Sequence, residues 1–512
     1  MKSEWCLLSY IGLIMATEHH DFAANQIVSF RDNHSHPVGI LTTSAGKMVN
    51  YEEAESTLNK RLILNEFFMD TYTKFNRERI PTRVVHAKGA GAFGYFEVTH
   101  DLNDICKAKV FNKVGKQTPV AVRFSPILQE RGGIDTSRDP RGFAIKFYTE
   151  DGNFDIVGLN MPVFIVQDPL FFPAFVHSRK KNPQTNLNDS NMFWDFVVRR
   201  PKSIYNTLYT FSDVGISDGY RHMPGFSIHT YQVVNSKGAK FFVRFTFTPD
   251  EGVKSLDSQT AQTLAAVDPD YATRDLFNAI SAGNFPSWTA YVQVLSLYDI
   301  QSADFDVFDV TKNLPVEKYP LRPLGRLVLN QNQVNYFAEI EQLAFCPDNL
   351  VPGILGAPDK LFEARRFGYR DAQNYRLGRN YDNIIVNKPI VETWTYTRDG
   401  RAPVKYNQWN VPNYYPNSYN GPVPFKEDHN VEVIEIFEGP GDDFCQPREY
   451  YLYALTSAER TRLINNIVAS LVTVTDPILK ERSIDILKAV NLDLGVRVFE
   501  GLVANQTKYY EY

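Results

Sequence analysis

The chain of 512 residues has little cysteine, no apolar run long enough to span a bilayer, and no excess of basic charge. Four cysteines are too few and too dispersed for a disulfide scaffold. The formal net charge is −5, and no basic stretch suggests nucleic-acid binding. The composition is typical of a large globular protein with more than one structural unit, for which neither a nucleic acid nor a membrane is an expected partner.

The longest N-terminal apolar run, residues 5–16, is too short to cross a membrane and ends at the small residue Ala16. We predict a signal peptide over residues 1–16, and hence a secreted or luminal protein. The alternative, a buried first helix, fits less well because the polar residues from His19 onward end the run abruptly. The sequence ends in Tyr509-Tyr510-Glu511-Tyr512, which is not a peroxisomal signal of the Ser-Lys-Leu kind.

The remaining pattern predicts four segments. They are an N-terminal arm over 17–84 with a helix at 56–75, a β-rich domain over 85–330, an irregular wrapping segment over 331–447 and a helical domain over 448–512. In the helical domain, Thr456 and Glu459 form a predicted capping box. Within the β-rich domain the residues Asn235 to Gly238 are typical of a hairpin turn. Strands are predicted at 120–124, 143–148, 163–166, 228–234, 240–248 and 288–297.

A second helix is predicted to start after Asp359 and to end at Gly378. Helical spacing places Arg365, Tyr369, Gln373 and Arg376 on one face. A tyrosine flanked by cations can ionise below its usual pKa, and a phenolate is a hard ligand for ferric iron. The alternative is a surface helix held by ion pairs.

A histidine, His86, is followed by closely spaced glycines at 89, 91 and 94. A single histidine among apolar residues is more often a core residue than a catalyst. The glycines do not follow a strand as in a dinucleotide fingerprint, so a nucleotide site is not indicated.

The segment around His86 closely resembles the distal signature of the haem catalases, and the segment around Tyr369 resembles their proximal signature. The resemblance runs in constant order from about residue 25 to 500. It implies an α+β fold, with an antiparallel eight-stranded β-barrel, a wrapping segment and a C-terminal helical domain. It also implies a homotetramer formed through exchange of N-terminal arms. Further matching segments lie at 122–125, 138–144, 182–185, 275–280, 335–339 and 412–418.

The resemblance also implies the site residues. His86 would be the distal general acid and base acting on hydrogen peroxide, Ser125 its hydrogen-bond partner and Val85 the cap above the iron. Tyr369 would be the axial ligand of haem b, held ionised by Arg365. Arg83, Arg123 and Arg376 would bind the haem propionates. Phe172 and Phe345 would line the pocket.

The sequence departs from the family near the chemistry. Leu159 stands where the family has a distal asparagine that donates to peroxide, and Asn160 should point to the opposite face of the strand. Gln373 replaces a histidine that contacts the haem, and Arg366 and Arg370 add cations beside it. The run 127–131 replaces smaller residues on the approach to the pocket, although the Asp139 of the family's channel is present.

Some animal catalases bind NADPH, but the matching positions here lack cations and donors, so NADPH is not expected. The NADPH positions are Tyr205, Val214, Pro224, Thr248 and 314–316.

Three functions then fit the residues. They are a catalase-like protein with strongly impaired or lost activity, an active secreted haem catalase, and a haem-free structural or binding protein on the same fold.

Overall fold

The computed structural model describes residues 21–426, 432–435 and 441–508, in two compact units that divide between Thr82 and Arg83. The predicted signal peptide therefore lies outside the described residues. The first unit contains the helices Phe22–Asp32 (α1), Tyr51–Glu55 (α2) and Glu66–Phe75 (α3). The prediction of one helix over 56–75 is wrong in its first half. The amide oxygen of Asn65 accepts a hydrogen bond from the Phe68 N–H, so Asn65 caps a new helix there.

The second unit is built on a closed antiparallel barrel. Eight strands form the ring in the order β1, β2, β3, β4, β5, β7, β8 and β9, with β9 pairing back to β1, while β6 and β10 extend from β7. This confirms the predicted α+β fold with an eight-stranded barrel. The strands are Ala90–Val98 (β1), Gln117–Pro126 (β2), Arg141–Thr149 (β3), Gly152–Leu159 (β4), Gly225–Phe226 (β5), Tyr231–Val234 (β6), Lys240–Pro249 (β7), Ser287–Leu295 (β8), Arg322–Gln331 (β9) and Ile354–Gly356 (β10).

Side-chain alternation gives the barrel wall two distinct faces. The interior is filled by aromatic rings, such as Phe124 and Phe143, whose centroids lie 5.0 Å apart. The predicted hairpin is confirmed, since Gly238 N–H donates to the Asn235 carbonyl at 3.0 Å. The predicted strand at 163–166 is wrong. This segment is buried but irregular, with Phe164 N–H donating to the Val310 carbonyl instead of to a neighbouring strand.

Helices cover the outside of the barrel and form the C-terminal region. The predicted capping box is confirmed, with Thr456 N–H donating to the Glu459 carboxylate and Glu459 N–H to the Thr456 hydroxyl. Among the helices that the structure describes, none is both long and apolar enough to cross a membrane. The helices of the second unit are Phe171–Arg179 (α4), Ser190–Arg199 (α5), Ile204–Phe211 (α6), Ser258–Val267 (α7), Tyr271–Ser281 (α8), Leu297–Ser302 (α9), Lys360–Leu377 (α10), Cys445–Glu449 (α11), Ser457–Val472 (α12), Pro477–Val490 (α13) and Leu492–Lys508 (α14).

Candidate functional site

The site lies on the outer face of strands β2, β3 and β4. The register aligns Ser125 with Gly142 and Gly142 with Leu159, so their side-chain positions share that face. A Cβ atom on Gly142 would lie 2.9 Å from Cε1 of His86 and 2.9 Å from the Ser125 hydroxyl. His86 therefore sits directly over a glycine that leaves room for it, with Leu159 next to it on the adjacent strand.

The His86 ring is held in one orientation. The backbone N–H of His86 donates to the Ile127 carbonyl at 2.7 Å, and the His86 backbone adopts a left-handed φ of 65°. The ring Nδ1 lies 3.0 Å from the Ser125 hydroxyl and 3.3 Å from the Ser125 carbonyl oxygen. A carbonyl only accepts, so the proton of the neutral ring is placed on Nδ1 and the lone pair on Nε2.

Burial, and then the nearby Arg123 guanidinium, lower the pKa of His86 from 6.5 to about 3. The imidazole is therefore neutral near pH 7. A neutral ring with a free Nε2 lone pair can take a proton and return it, which is the requirement for a general acid and base.

Leu159 brings no hydrogen-bond donor to this face. Its side chain is 5% exposed and packs in the same apolar cluster as Ile127 and Phe164. Asn160 does not replace the missing amide, because its Oδ1 accepts from Arg141 N–H at 2.8 Å and its Nδ2 donates to the Val214 carbonyl at 3.2 Å. The Asn160 side chain therefore points away from the face that carries Leu159, as strand alternation predicts.

The opposite side of the site is organised by helix α10. Asp359 caps its first turn by accepting from Phe362 N–H at 2.8 Å, as the sequence predicts, and its other carboxylate oxygen lies 2.8 Å from His229 Nδ1. His229 Nε2 lies 2.7 Å from the Arg365 guanidinium, which donates to the Tyr369 hydroxyl at 3.1 Å. Four side chains thus form one chain, Asp359–His229–Arg365–Tyr369.

The donors and acceptors in this chain fix its charges. Arg365 can only donate, so His229 Nε2 accepts and Nδ1–H donates to Asp359. Burial lowers the pKa of His229. Burial also opposes the ionisation of Asp359, but the contact with His229 outweighs burial and leaves the pKa of Asp359 below its usual value. The arrangement is therefore a neutral histidine between an anion and a cation, with Arg365 aimed at the Tyr369 oxygen.

His229 belongs to this series of contacts and was missed by sequence reasoning, and Asp359 was recognised only as a helix start. Their separation along the chain is 130 residues. No periodicity or local motif marks such a pair. The only local signal was the N-cap position of Asp359, which explains one of its two contacts.

Three arginines gather beside the site, of which Arg123 and Arg376 are buried and Arg83 is partly buried. Arg83 donates to the backbone carbonyls of Glu341 and Leu343, to which Arg376 also donates, and Arg123 donates to the Ala87 carbonyl. Among the described residues, the ion pairs of these arginines involve one carboxylate, that of Glu341, 3.7 Å from Arg83.

This cluster fits an anionic ligand. Burial and the repulsion between guanidinium groups lower the pKa of Arg83 well below its usual value, and burial lowers that of Arg376 to about 10. One nitrogen of Arg83 and Nε of Arg123 are buried without a hydrogen-bond partner among the described residues. Two carboxylates would neutralise the excess charge and could satisfy these donors, as the propionates of haem b would.

An apolar cluster on the outer face of the barrel lies next to Tyr369. Small residues on the outer face, Ala121, Ala144 and Val157, pack with Phe345, and Tyr369 lies against the same cluster. Val85 and Phe172 instead pack against the cluster that contains Leu159. Strand β4 thus carries Val157 on the tyrosine side and Leu159 on the histidine side, two residues or about 7 Å apart.

The other predicted departures on α10 have clear positions. Gln373 is buried, and its Oε1 accepts from Arg376 at 2.9 Å. Arg366 and Arg370 point away from the site and both pair with Asp348, with their side chains 48% and 56% exposed. These two cations therefore lie outside the candidate site and are paired there.

Four of the positions matched to the family's NADPH site line one cavity elsewhere. Val214, Pro224, Leu314 and Val316 line one cavity of about 220 Å³, together with Tyr209 and Arg244. The three nitrogens of Arg244 already donate to Thr230, Lys312 and Val307. The expectation that NADPH does not bind stays a prediction.

Comparison with known proteins identifies the relatives of the chain. A family model described as Catalase matches residues 42–421, and one described as Catalase-related immune-responsive matches residues 438–502. The chain is 44% identical to the catalase of Drosophila melanogaster over 503 residues, covering 96% of this chain and 99% of the relative. It is 45% identical to the catalase of Sus scrofa over 495 residues, covering 94% and 93% respectively.

Solved structures give the same result. A bacterial catalase superposes with a TM-score of 0.86 at 37% identity, covering 94% of this chain and 99% of the other. A fungal catalase superposes with a TM-score of 0.85 at 37% identity, covering 91% and 97%. The similarity therefore extends over nearly the whole chain in both sequence and fold.

Proposed function

The chain belongs to the catalase family, and we propose that it is a haem-binding catalase-like protein in which the dismutation of hydrogen peroxide is strongly impaired. The observation that carries this proposal is the asymmetry of the site. The groups that would ligate the iron and bind the propionates are present, although Gln373 stands where the family has a histidine. By contrast, Leu159 lies beside His86, where a hydrogen-bond donor is needed.

The chain offers a partner for each part of haem b. Tyr369, supported by Arg365, would ligate the iron, as tyrosine does in catalases. Arg83, Arg123 and Arg376 would bind the propionates, and Phe345 and the small residues of the barrel face would contact the ring. When bound, haem would supply the redox-active iron at which peroxide is oxidised and reduced.

The residues on the histidine side would perform proton transfer only. His86 Nε2 can take the proton of the near peroxide oxygen and deliver it to the far oxygen. The breaking of the O–O bond places negative charge on the far oxygen, and Leu159 has no dipole to stabilise it. The absence of one preorganised donor lowers the rate about 100- to 1000-fold.

The test compares purified wild type, Leu159→Asn and Leu159→Ala. Haem content is measured from the Soret band, and oxygen evolution from added hydrogen peroxide. We expect near-stoichiometric haem in all three, slow oxygen evolution in wild type and Leu159→Ala, and a gain of about 100-fold in Leu159→Asn. The alanine variant controls for bulk, because it opens space without adding a donor.

Two outcomes would overturn this proposal. A wild-type rate as high as that of the Leu159→Asn variant would mean an active haem catalase, the function that the complete Asp359–His229–Arg365–Tyr369 chain favours. A purified protein without haem would instead point to a structural or binding protein on the catalase fold.

We further propose a homotetramer formed through the N-terminal arm, and export of the protein. Several arm side chains are strongly exposed although apolar, which is unfavourable unless another chain covers them. Light scattering on the purified protein measures the assembly, and N-terminal sequencing of secreted material tests cleavage near residue 16. The exposed arm residues are Ile27, Val38, Ile40, Leu58, Ile63 and Leu64.

A further inference from the structure

We propose that Tyr209 and Tyr450 form a modification site, at which oxidation joins their two rings through a carbon–carbon bond. The site lies between helix α6 and the segment directly after helix α11, and it uses none of the residues assigned to the candidate site. The oxidant would be hydrogen peroxide, whose delivery rests on the proposed haem-binding function.

Three tyrosines pack together at this place. The rings of Tyr209 and Tyr450 have centroids 4.3 Å apart and planes inclined by 34°. The Tyr205 centroid lies farther away, 5.1 Å from that of Tyr209 and 5.9 Å from that of Tyr450. At 4.3 Å the carbon atoms of two inclined rings are close to van der Waals contact. Within the described part of the chain, Tyr209 and Tyr450 are therefore the tyrosine pair best placed to couple.

The surroundings keep both rings neutral and confined. Tyr450 belongs to the buried apolar cluster of the helical region, and Tyr209 packs against that cluster. Burial raises the pKa of both hydroxyls, so both rings are uncharged near pH 7 and do not repel each other. A radical formed on one of these rings then has the other ring as its nearest partner.

The phenol protons have acceptors nearby. The Tyr450 hydroxyl donates to Ser212 Oγ at 3.0 Å. The Tyr209 hydroxyl lies 3.5 Å from that of Tyr205, and its side chain also borders the cavity of about 220 Å³, which is large enough to hold water. Asn160 borders the same cavity one residue beyond Leu159, so the cavity begins next to the candidate site.

The step balances with hydrogen peroxide as the oxidant. Two tyrosine side chains and one hydrogen peroxide give one dityrosine and two water molecules. Each phenol loses one electron and its hydroxyl proton, and a bond forms between the carbons ortho to the two oxygens. The hydrogens on those carbons then move as protons to the oxygens and restore both hydroxyls. The two electrons and two protons released break the O–O bond of the peroxide and complete the two waters.

The new bond would connect two regions that are distant in the chain. It would tie helix α6, beside the barrel, to the C-terminal helical region. A cross-link that closes a long loop restricts the unfolded chain, as a disulfide does. The modification would therefore stabilise the folded state of protein that has been exposed to peroxide.

The experiment treats haem-loaded wild type, Tyr209→Phe, Tyr450→Phe and Tyr205→Phe with hydrogen peroxide. Single chains are separated in denaturing gels, and dityrosine is measured by its fluorescence and by mass spectrometry of tryptic peptides. We expect wild type to link peptides 203–221 and 449–460, with a mass lower than their sum by two hydrogen atoms. The link should be absent from Tyr209→Phe and Tyr450→Phe. Tyr205→Phe, the control in the same helix and peptide, should keep it.

A second oxidant separates this proposal from the proposed function. Visible light with tris(bipyridine)ruthenium and persulfate oxidises tyrosine without haem, so it tests the pairing of the two rings at any haem content. Formation of the same link with light but not with peroxide supports the modification site and counts against the proposed haem function. Absence of the link with both oxidants, or its persistence in Tyr209→Phe or Tyr450→Phe, overturns the proposal.

Discussion

The two sides of the candidate site differ in how much of their polar machinery is present. On the tyrosine side, a continuous series of contacts runs from Asp359 to Tyr369, and the two added arginines are paired with Asp348 outside the site. On the histidine side, His86 keeps its Ser125 partner but faces Leu159. We therefore expect the proposed iron ligation by Tyr369 and the proposed proton transfer by His86 to be separable, because helix α10 supplies the first residue and the segment before β1 supplies the second.

The largest effect is expected from a substitution on the tyrosine side. Tyr369→Phe removes the proposed iron ligand, so the haem content should fall at least about tenfold, which corresponds to roughly 1.4 kcal/mol. Tyr375→Phe is a matched control, since Tyr375 lies on the same helix and is 76% exposed. The absorbance of the Soret band per protein measures the result. Full haem occupancy in Tyr369→Phe would exclude this residue as the ligand.

The next largest effect is expected from a substitution on the histidine side. His86→Asn removes the proton acceptor while an asparagine tolerates the left-handed backbone at φ 65°. We expect unchanged haem content and a rate of reaction with peroxide about 100- to 10,000-fold lower. His100→Asn, at an exposed position, serves as the control. A variant that lost haem instead would show that the two sides are not separable.

A third prediction sharpens the comparison through pH. Burial raises the pKa of Asp139, on the histidine side, to about 6, whereas contact with His229 leaves that of Asp359 below its usual value despite burial. A carboxyl group whose pKa is raised on folding stabilises the folded state at low pH, and this stabilisation is lost as the pH rises through about 6. A carboxyl group whose pKa is lowered on folding stabilises the folded state above its unfolded pKa, and this stabilisation is lost on acidification.

The two asparagine variants should therefore behave in opposite ways. Asp139→Asn should become more stable relative to wild type as pH rises from 4 to 7, by up to about 3 kcal/mol. Asp359→Asn should be destabilised at pH 7, and this difference from wild type should shrink only as the pH falls below about 4. Thermal midpoints from about pH 3 to pH 7 measure both differences. Parallel pH profiles for the two variants would contradict the prediction.

The smallest expected effect concerns Asp348. The Asp348 side chain is 9% exposed, but its arginine partners are 48% and 56% exposed and so remain solvated when it is replaced. Asp348→Asn should therefore lower the stability by only about 1 kcal/mol and leave haem content unchanged. Asp304→Asn, which removes an exposed pair with Lys318, is the comparison. A marked loss of haem in Asp348→Asn would mean that Arg366 or Arg370 reaches the site when its partner is removed.

Local signals in the sequence predicted several elements correctly. Asp359 and Gly378 mark the ends of α10, Thr456 and Glu459 form their capping box, and the turn at 235–238 joins two strands. These features depend on residues within a few positions of each other. The segment at 163–166 misled the prediction, because a short buried apolar run has the composition of a strand whether or not a neighbouring strand is available to pair with it.

The sequence alone determined that an aliphatic residue stands at position 159, that a tyrosine follows an arginine by one helical turn at 369, and that the barrel and helical regions follow one another in that order. Only the tertiary structure decided that His229 joins Asp359 to Arg365, that Asp348 holds Arg366 and Arg370 away from the site, and that Asn160 is engaged elsewhere. The physical reason is that these contacts depend on strand register and on side chains far apart in the chain, which local propensity does not encode.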